Sequence, residues 1–205
     1  MFKYACPQEG AMAWWIAAAQ FVWDSFRLWL HNLFIGPFSN FDIFWILAPV
    51  YISLIITEIF QEKKGTSLGN ATSNSVIALW GGVDFLRITM KGVTGFTAIA
   101  IGKFAIAVVI LLYGVFILTL GIRGSELLKR VARVREVSYA IIIFAPLYYT
   151  QVQMSSLYLF GAVAFFPLFY LALHLFDQLL PDPASLKKDR GETGSFAAPM
   201  GKQKF

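Results

Sequence analysis

Five residues place a polar or charged side chain inside or beside a long apolar stretch: Glu58, Asn70, Asn74, Asp84 and Lys103. At membrane depth such groups are costly unless they are paired or used, so they come first as candidates for chemistry. Lys103 lies inside an otherwise uncharged run, about 10 Å from its start at helical rise. A cation there can offset Asp84, bind an anionic substrate, or send its four-carbon stem back to the headgroups. Glu58 stands at the end of another run, just ahead of Glu62, Lys63 and Lys64. It can hold an ion, or it can pair with a lysine at the interface. Asn70 and Asn74 fall in residues 65–75, GTSLGNATSNS, an uncharged run of small hydrogen-bonding residues. Gly65 and Gly69 permit unusual backbone there, and Ser73, Asn74 or Ser75 can cap a following helix. The run reads either as broken backbone lining a cavity, as in transporters, or as a surface loop ending in a cap. Together the five residues suggest a polar pathway for an ion or solute.

Templates for catalysis are missing. There is no GxSxG, HExxH or Walker-type loop. Cys6 is the sole cysteine, which excludes an internal disulfide and leaves no CxxC for zinc or iron–sulfur ligation. His174 and Asp177 share a helix face but lack a third ligand. The sequence therefore gives no reason to expect an enzyme, a metal or a cofactor.

Composition names the solvent. Apolar residues make up 58% of the 205 and charged residues only 14%, against roughly a quarter charged in ordinary soluble chains. The net charge is +5, but the basic residues flank apolar runs, so anionic lipid headgroups explain them and nucleic acid does not. They gather at Lys63 and Lys64, between 123 and 135, and between 187 and 204, with none from 136 to 186. Apolar spans with basic cytoplasmic loops read this way. Within 123–135, Leu127, Leu128, Val131 and Val134 recur at helical spacing. Lys129, Arg130, Arg133 and Arg135 lie largely elsewhere around that helix. These four are expected to contact anionic lipid, or simply to fix topology.

Four segments read as membrane crossings: 43–60, 96–122, 137–152 and 155–177. Two more are ambiguous. Residues 11–30 carry four of the six tryptophans, with Gln20, Asp24, Arg27 and His31 on one helical face. Such a helix either lies in the interface or spans with that stripe turned toward neighbouring helices. Residues 75–90, with Gly81, Gly82, Asp84 and Arg87, read as interfacial, re-entrant or a short crossing. Counting both as crossings separates charge best, with both termini cytoplasmic. Glu58 and Lys103 would then lie near opposite faces.

The expected fold is an all-α integral membrane protein, a polytopic helical bundle of six segments. It forms one domain over 1–180 with a mobile basic tail over 181–205. Pro49, Pro146 and Pro167 fall inside spans, where they kink helices or occur simply because membrane helices tolerate them. Tyr148 and Tyr149 suggest an aromatic belt at the outer interface. Small residues Ala98, Gly102 and Ala105 form a face on which another helix can pack. Two functions remain open. One is a small ion or solute permeation protein. The other is a non-catalytic subunit or scaffold, whose small-residue faces and Trp-rich first helix bind other membrane proteins or a second copy.

Overall fold

A computed structural model describes residues 10–60, 68–92, 97–149 and 152–179. The tail from 181, residues 65–67 of the polar stretch and the Lys63–Lys64 pair lie outside the described residues. Every regular element described is helical: α1 Gly10–Phe34, α2 Phe41–Phe60, α3 Leu68–Gly92, α4 Ala98–Ile122, α5 Leu128–Val131, α6 Val134–Tyr149, α7 Ser156–Ala164 and α8 Phe166–Leu179. A short 3-10 turn, Gly36–Phe38, joins α1 to α2.

Helix starts follow local chemistry. The Asn40 side chain accepts the Ile43 amide at 2.9 Å and opens α2, as Ser39, Asn40 and Asp42 suggest in sequence. Thr97 caps α4 through the Ala100 amide, and Ser155 caps α7 through that of Tyr158. Residues 68–75 are a correction. They are neither broken backbone nor loop but the first turns of α3. Thr72, Ser73 and Ser75 donate to the carbonyls of Leu68, Asn70 and Thr72 at 2.8, 2.8 and 2.6 Å. Hydroxyls bonded back to carbonyls of the preceding turn are satisfied without leaving the helix, at a slight cost in its stability, so a polar sequence continues as helix. At the other end of the chain, the helical ladder breaks at Phe165 and Pro167 occupies the first turn of α8. Proline lacks the amide that an unbroken helix would need there.

Helix α6 stands at the centre. Twelve of its 16 residues are buried, and α1, α2, α3 and α4 all pack on it. Chain direction around it can be read from side chains. Glu58, near the end of α2, meets Arg135 at the start of α6, whereas Asn40 ahead of α2 reaches the Tyr149 carbonyl at the far end of α6. The two helices are antiparallel. Helix α3 runs with α6: Asn74 bonds the Ala132 carbonyl, and Asp84 accepts from Tyr149. Helix α7 runs against it, since Tyr158 donates to the Ile143 carbonyl and Tyr139 to that of Ala162. Residues 75–90 thus run the length of the bundle inside α3.

Helices α3 and α4 form the closest pair, and glycine makes that approach possible. A β-carbon on Gly82 would lie 2.8 Å from the Leu111 backbone, and one on Gly114 would lie 2.8 Å from the Leu79 backbone. Gly102 faces the Met154 side chain, so this small residue packs within the chain.

Three helical stretches are long and apolar enough to cross a membrane: Phe41–Ile59, Ala98–Ile122 and Ser156–Leu179, the last through α7 and α8. They coincide with three of the four segments read as crossings. The fourth, 137–152, does not qualify. Its helix spans about 24 Å at 1.5 Å per residue and carries Arg135 and Glu136 in its first turn. Enclosure explains this: a helix wrapped by protein need not match a lipid thickness or shed its polar groups.

Substituting Gly82→Val forces the Leu111 backbone outward and is expected to cost about 1–3 kcal/mol or more. Gly92→Ala meets nothing within 4 Å and should stay within about 0.5 kcal/mol of the parent. Thermal unfolding of the two variants in detergent checks the contrast.

Candidate functional site

The five candidate polar residues do not converge. They separate into two clusters at opposite ends of α6. At its start, Arg135 donates from Nε to Glu58 Oε1 at 2.7 Å and from Nη2 to Oε2 at 2.6 Å. The pair is buried, with side-chain exposures of 6% and 0%. Two parallel bonds between a planar guanidinium and a carboxylate fix both distance and orientation. The Arg135 guanidinium also stands 4.9 Å from the centre of the Tyr170 ring on α8. Arg133 donates to that same tyrosine's hydroxyl at 2.6 Å. Helices α2, α6 and α8 are therefore joined through one charge cluster.

This placement corrects the sequence reading of Arg135 as a lipid contact. It points into the bundle instead. Arg133 is half-buried against Tyr170, Lys129 pairs with Glu126 at 2.7 Å, and Arg130 is exposed. The expected basic helix is also shorter than its spacing implied. Only Leu128–Val131 is helical before the chain turns at Ala132. Leu128, Ala132 and Val134 are the buried apolar positions, and Leu127 is exposed.

At the far end of α6, Asp84 is held by Arg87 on its own helix, Nε to Oδ1 at 2.9 Å, and by the Tyr149 hydroxyl. Lys103 is not its counter-charge. The Lys103 backbone carbonyl accepts from the Tyr148 hydroxyl at 2.7 Å, while its side chain is half-buried and forms no ion pair among the described residues. Tyr148 and Tyr149 do not form an aromatic belt. Tyr148 is buried and stacks on Phe85, with ring centres 4.2 Å apart, and Tyr149 turns toward Asp84.

Asn74 lies near the first cluster. It is buried, and it donates to the Ala132 carbonyl at 2.8 Å, pinning the turn between α5 and α6 to α3. Asn70 is half-buried one turn earlier and accepts from Ser73 through its backbone. Beside Asn74 a cleft of about 540 Å³ opens between α2 and α3. Pro49 and Ile56 give it apolar walls, and Ser53, Thr57, Ser73 and Asn74 give it hydrogen-bonding ones. No group of three metal-ligating side chains occurs among the described residues, and His174 lies 3.1 Å from Gln178 rather than on Asp177.

Sequence reasoning missed Tyr170 and the Trp29–Tyr139 bond, in which the indole donates to the phenol at 3.0 Å inside the core. Their only local signal is a polar-tipped aromatic in an apolar run, which many unpaired aromatics share.

Removing one partner of the Glu58–Arg135 pair takes two short, parallel hydrogen bonds from a buried charge. Arg135→Leu alone is expected to cost about 3–5 kcal/mol, and the paired change Glu58→Leu with Arg135→Leu to recover most of it. Unfolding of the single and paired variants, compared as a double-mutant cycle, measures the coupling. The chain matches no family model, no curated protein and no solved structure, so its reading rests on its own residues.

Proposed function

We propose that this protein is a non-catalytic membrane subunit that works by assembling with other membrane proteins. The observation that carries this reading is the state of α1. From Trp14 to Asp24 every residue is exposed, including Trp14, Trp15, Phe21 and Trp23. Later in the helix only one face packs inward, through Ser25, Trp29, Asn32 and Leu33. A long aromatic helix whose first half stays exposed, even where Phe21 rests 5.3 Å from the Phe160 ring of α7, is built to meet something else. The stripe Gln20, Asp24, Arg27 and His31 faces outward as well, not toward the neighbouring helices.

The setting is a bilayer. Large apolar side chains cover the outside of the three long apolar helices, among them Trp45, Ile52, Phe104, Leu112, Val163 and Leu171. A surface this apolar suits lipid. Six segments are proposed to cross: α1, α2, α3, α4, α6 and the α7–α8 rod. Both termini, with Lys129 and Arg130 beside anionic headgroups, would be cytoplasmic. The opposite-end placement of the Glu58 and Lys103 clusters supports that count.

A second reading, solute or ion permeation, is favoured by the α2–α3 cleft and its four hydrogen-bonding side chains. Two measurements separate the readings. Under assembly, mild-detergent purification retains another membrane protein, and Trp15→Ala with Trp23→Ala weakens that retention. Purified chain in liposomes then gives no flux. Flux that falls with Asn74→Ala or Thr57→Ala, with no protein retained, overturns assembly in favour of permeation.

A further inference from the structure

Pro49, Ile52, Ser53, Ile56 and Thr57 follow one another at steps of three and one, so they share one stripe of α2. That stripe is one wall of the cleft toward α3, and Ser73 and Asn74 are the other. Helices α2 and α3 both pack on α6 and hardly on each other, so the cleft runs between them. Its polarity is ordered by depth. Thr57, Ser73 and Asn74 belong to the end of the bundle where Glu58 meets Arg135. Ser53 lies one turn deeper, and Pro49 lies deepest, about 16 Å from the end of α2 at 1.5 Å per residue. That depth is one leaflet, half of a ~30 Å hydrocarbon core. Ile52 and Ile56 are exposed, so the cleft opens sideways to lipid.

Its hydrogen-bonding groups are only partly used. Ser73 donates to the Asn70 carbonyl, and Asn74 donates through Nδ2 to that of Ala132. Hydroxyls on a helix ordinarily bond back to their own backbone, as those of Thr72, Ser73 and Ser75 do. The hydroxyls of Ser53 and Thr57 do not, and they have no other partner among the described residues; nor does Asn74 Oδ1. No charged side chain lines the cleft, since Glu58, next to Thr57, is turned into its pair with Arg135.

We infer that this cleft holds an uncharged glycerolipid of the surrounding leaflet, a diacylglycerol. Its glycerol end sits at Thr57 and Asn74, and one acyl chain lies past Ile56 and Ile52 toward Pro49. Two ester carbonyls match the two free hydroxyl donors, and the lipid's own hydroxyl matches the free carboxamide oxygen. A phospholipid has the esters but no hydroxyl at that position, and its phosphate finds no counter-charge in the walls. A water-soluble solute leaves the apolar half of the cleft unmatched. The volume of about 540 Å³ is that of a small-molecule site. The inference takes the bilayer setting proposed above and does not depend on whether the chain assembles with other proteins.

The test uses the full chain in phosphatidylcholine nanodiscs with two photoactivatable probes, a diacylglycerol and a phosphatidylcholine, each carrying a diazirine midway along one acyl chain. Mass spectrometry then locates the cross-links. The diacylglycerol probe is expected to label the α2 stripe between Pro49 and Ile56, and unlabelled diacylglycerol, but not added phosphatidylcholine, to compete it away. That competition needs no variant. Ser53→Ala with Thr57→Val removes both free hydroxyls with little change of shape and is expected to cut labelling about tenfold. Ser53→Phe fills the cleft and is expected to abolish it. Unchanged thermal unfolding establishes that the variants are folded. Equal labelling by both probes makes the cleft ordinary lipid-facing surface and overturns the inference. So does an unlabelled stripe, or labelling indifferent to the paired substitution in a folded chain. Whether another membrane protein is retained is read separately, so failure here leaves the assembly proposal standing.

Discussion

Glu58 and Arg135 close on each other inside the bundle, and the position of α6 depends on that closure. An arginine in the first turn of a buried helix is tolerable only if a carboxylate is delivered to it with matched geometry. The end of α2 supplies that carboxylate through two bonds of 2.7 and 2.6 Å. The Tyr170 ring covers the guanidinium from a third helix. The rest of the arrangement follows from this fixed point. With α2 and α8 tied to the start of α6, and Asn74 tying α3 to the preceding turn, the central helix is located at one end. At the other end Tyr148 and Tyr149 reach α4 and α3.

Between these ends the core is apolar and closely packed. Ile141, Ile142, Ile143, Phe85 and Leu47 are each at most 1% exposed. Glycines on α3 and α4 bring two backbones together, as suits an environment in which close packing rather than water exclusion drives helix association. The paired charges are gathered at the ends of the core, Glu58 with Arg135 at one and Asp84 with Arg87 at the other, while the layer between them holds the Trp29–Tyr139 bond and the buried hydroxyls of Ser25 and Ser138. That distribution is what a structural core needs, and it argues against a polar route along α6.

The sequence disclosed what depends on neighbouring residues. Asn40 and Asp42 mark a helix start because a side-chain cap is local, and 96–122 reads as a long helix because its apolar run is unbroken. Residues 68–75 misled because serine, threonine and asparagine favour turns on average. Here their hydroxyls are satisfied within the helix, which composition cannot register. Arg135 misled for a different reason. It belongs to a basic cluster in sequence, and only the fold separates it from Arg130 by turning it inward. Glu58 was visible as a candidate, but its partner lies 77 residues away, beyond any periodicity. The exposed stripe of α1 was legible as a face, whereas its outward direction required knowing that Ser25 and Trp29 occupy the opposite side.

The late position of α6 in the chain has a consequence for biosynthesis. At a ribosomal pace of roughly 5–20 residues per second, Glu58 precedes Arg135 by several seconds. Four long helices thus emerge before the one that packs against all of them, so the contacts of α6, Glu58 with Arg135 among them, form only after those helices have left the ribosome.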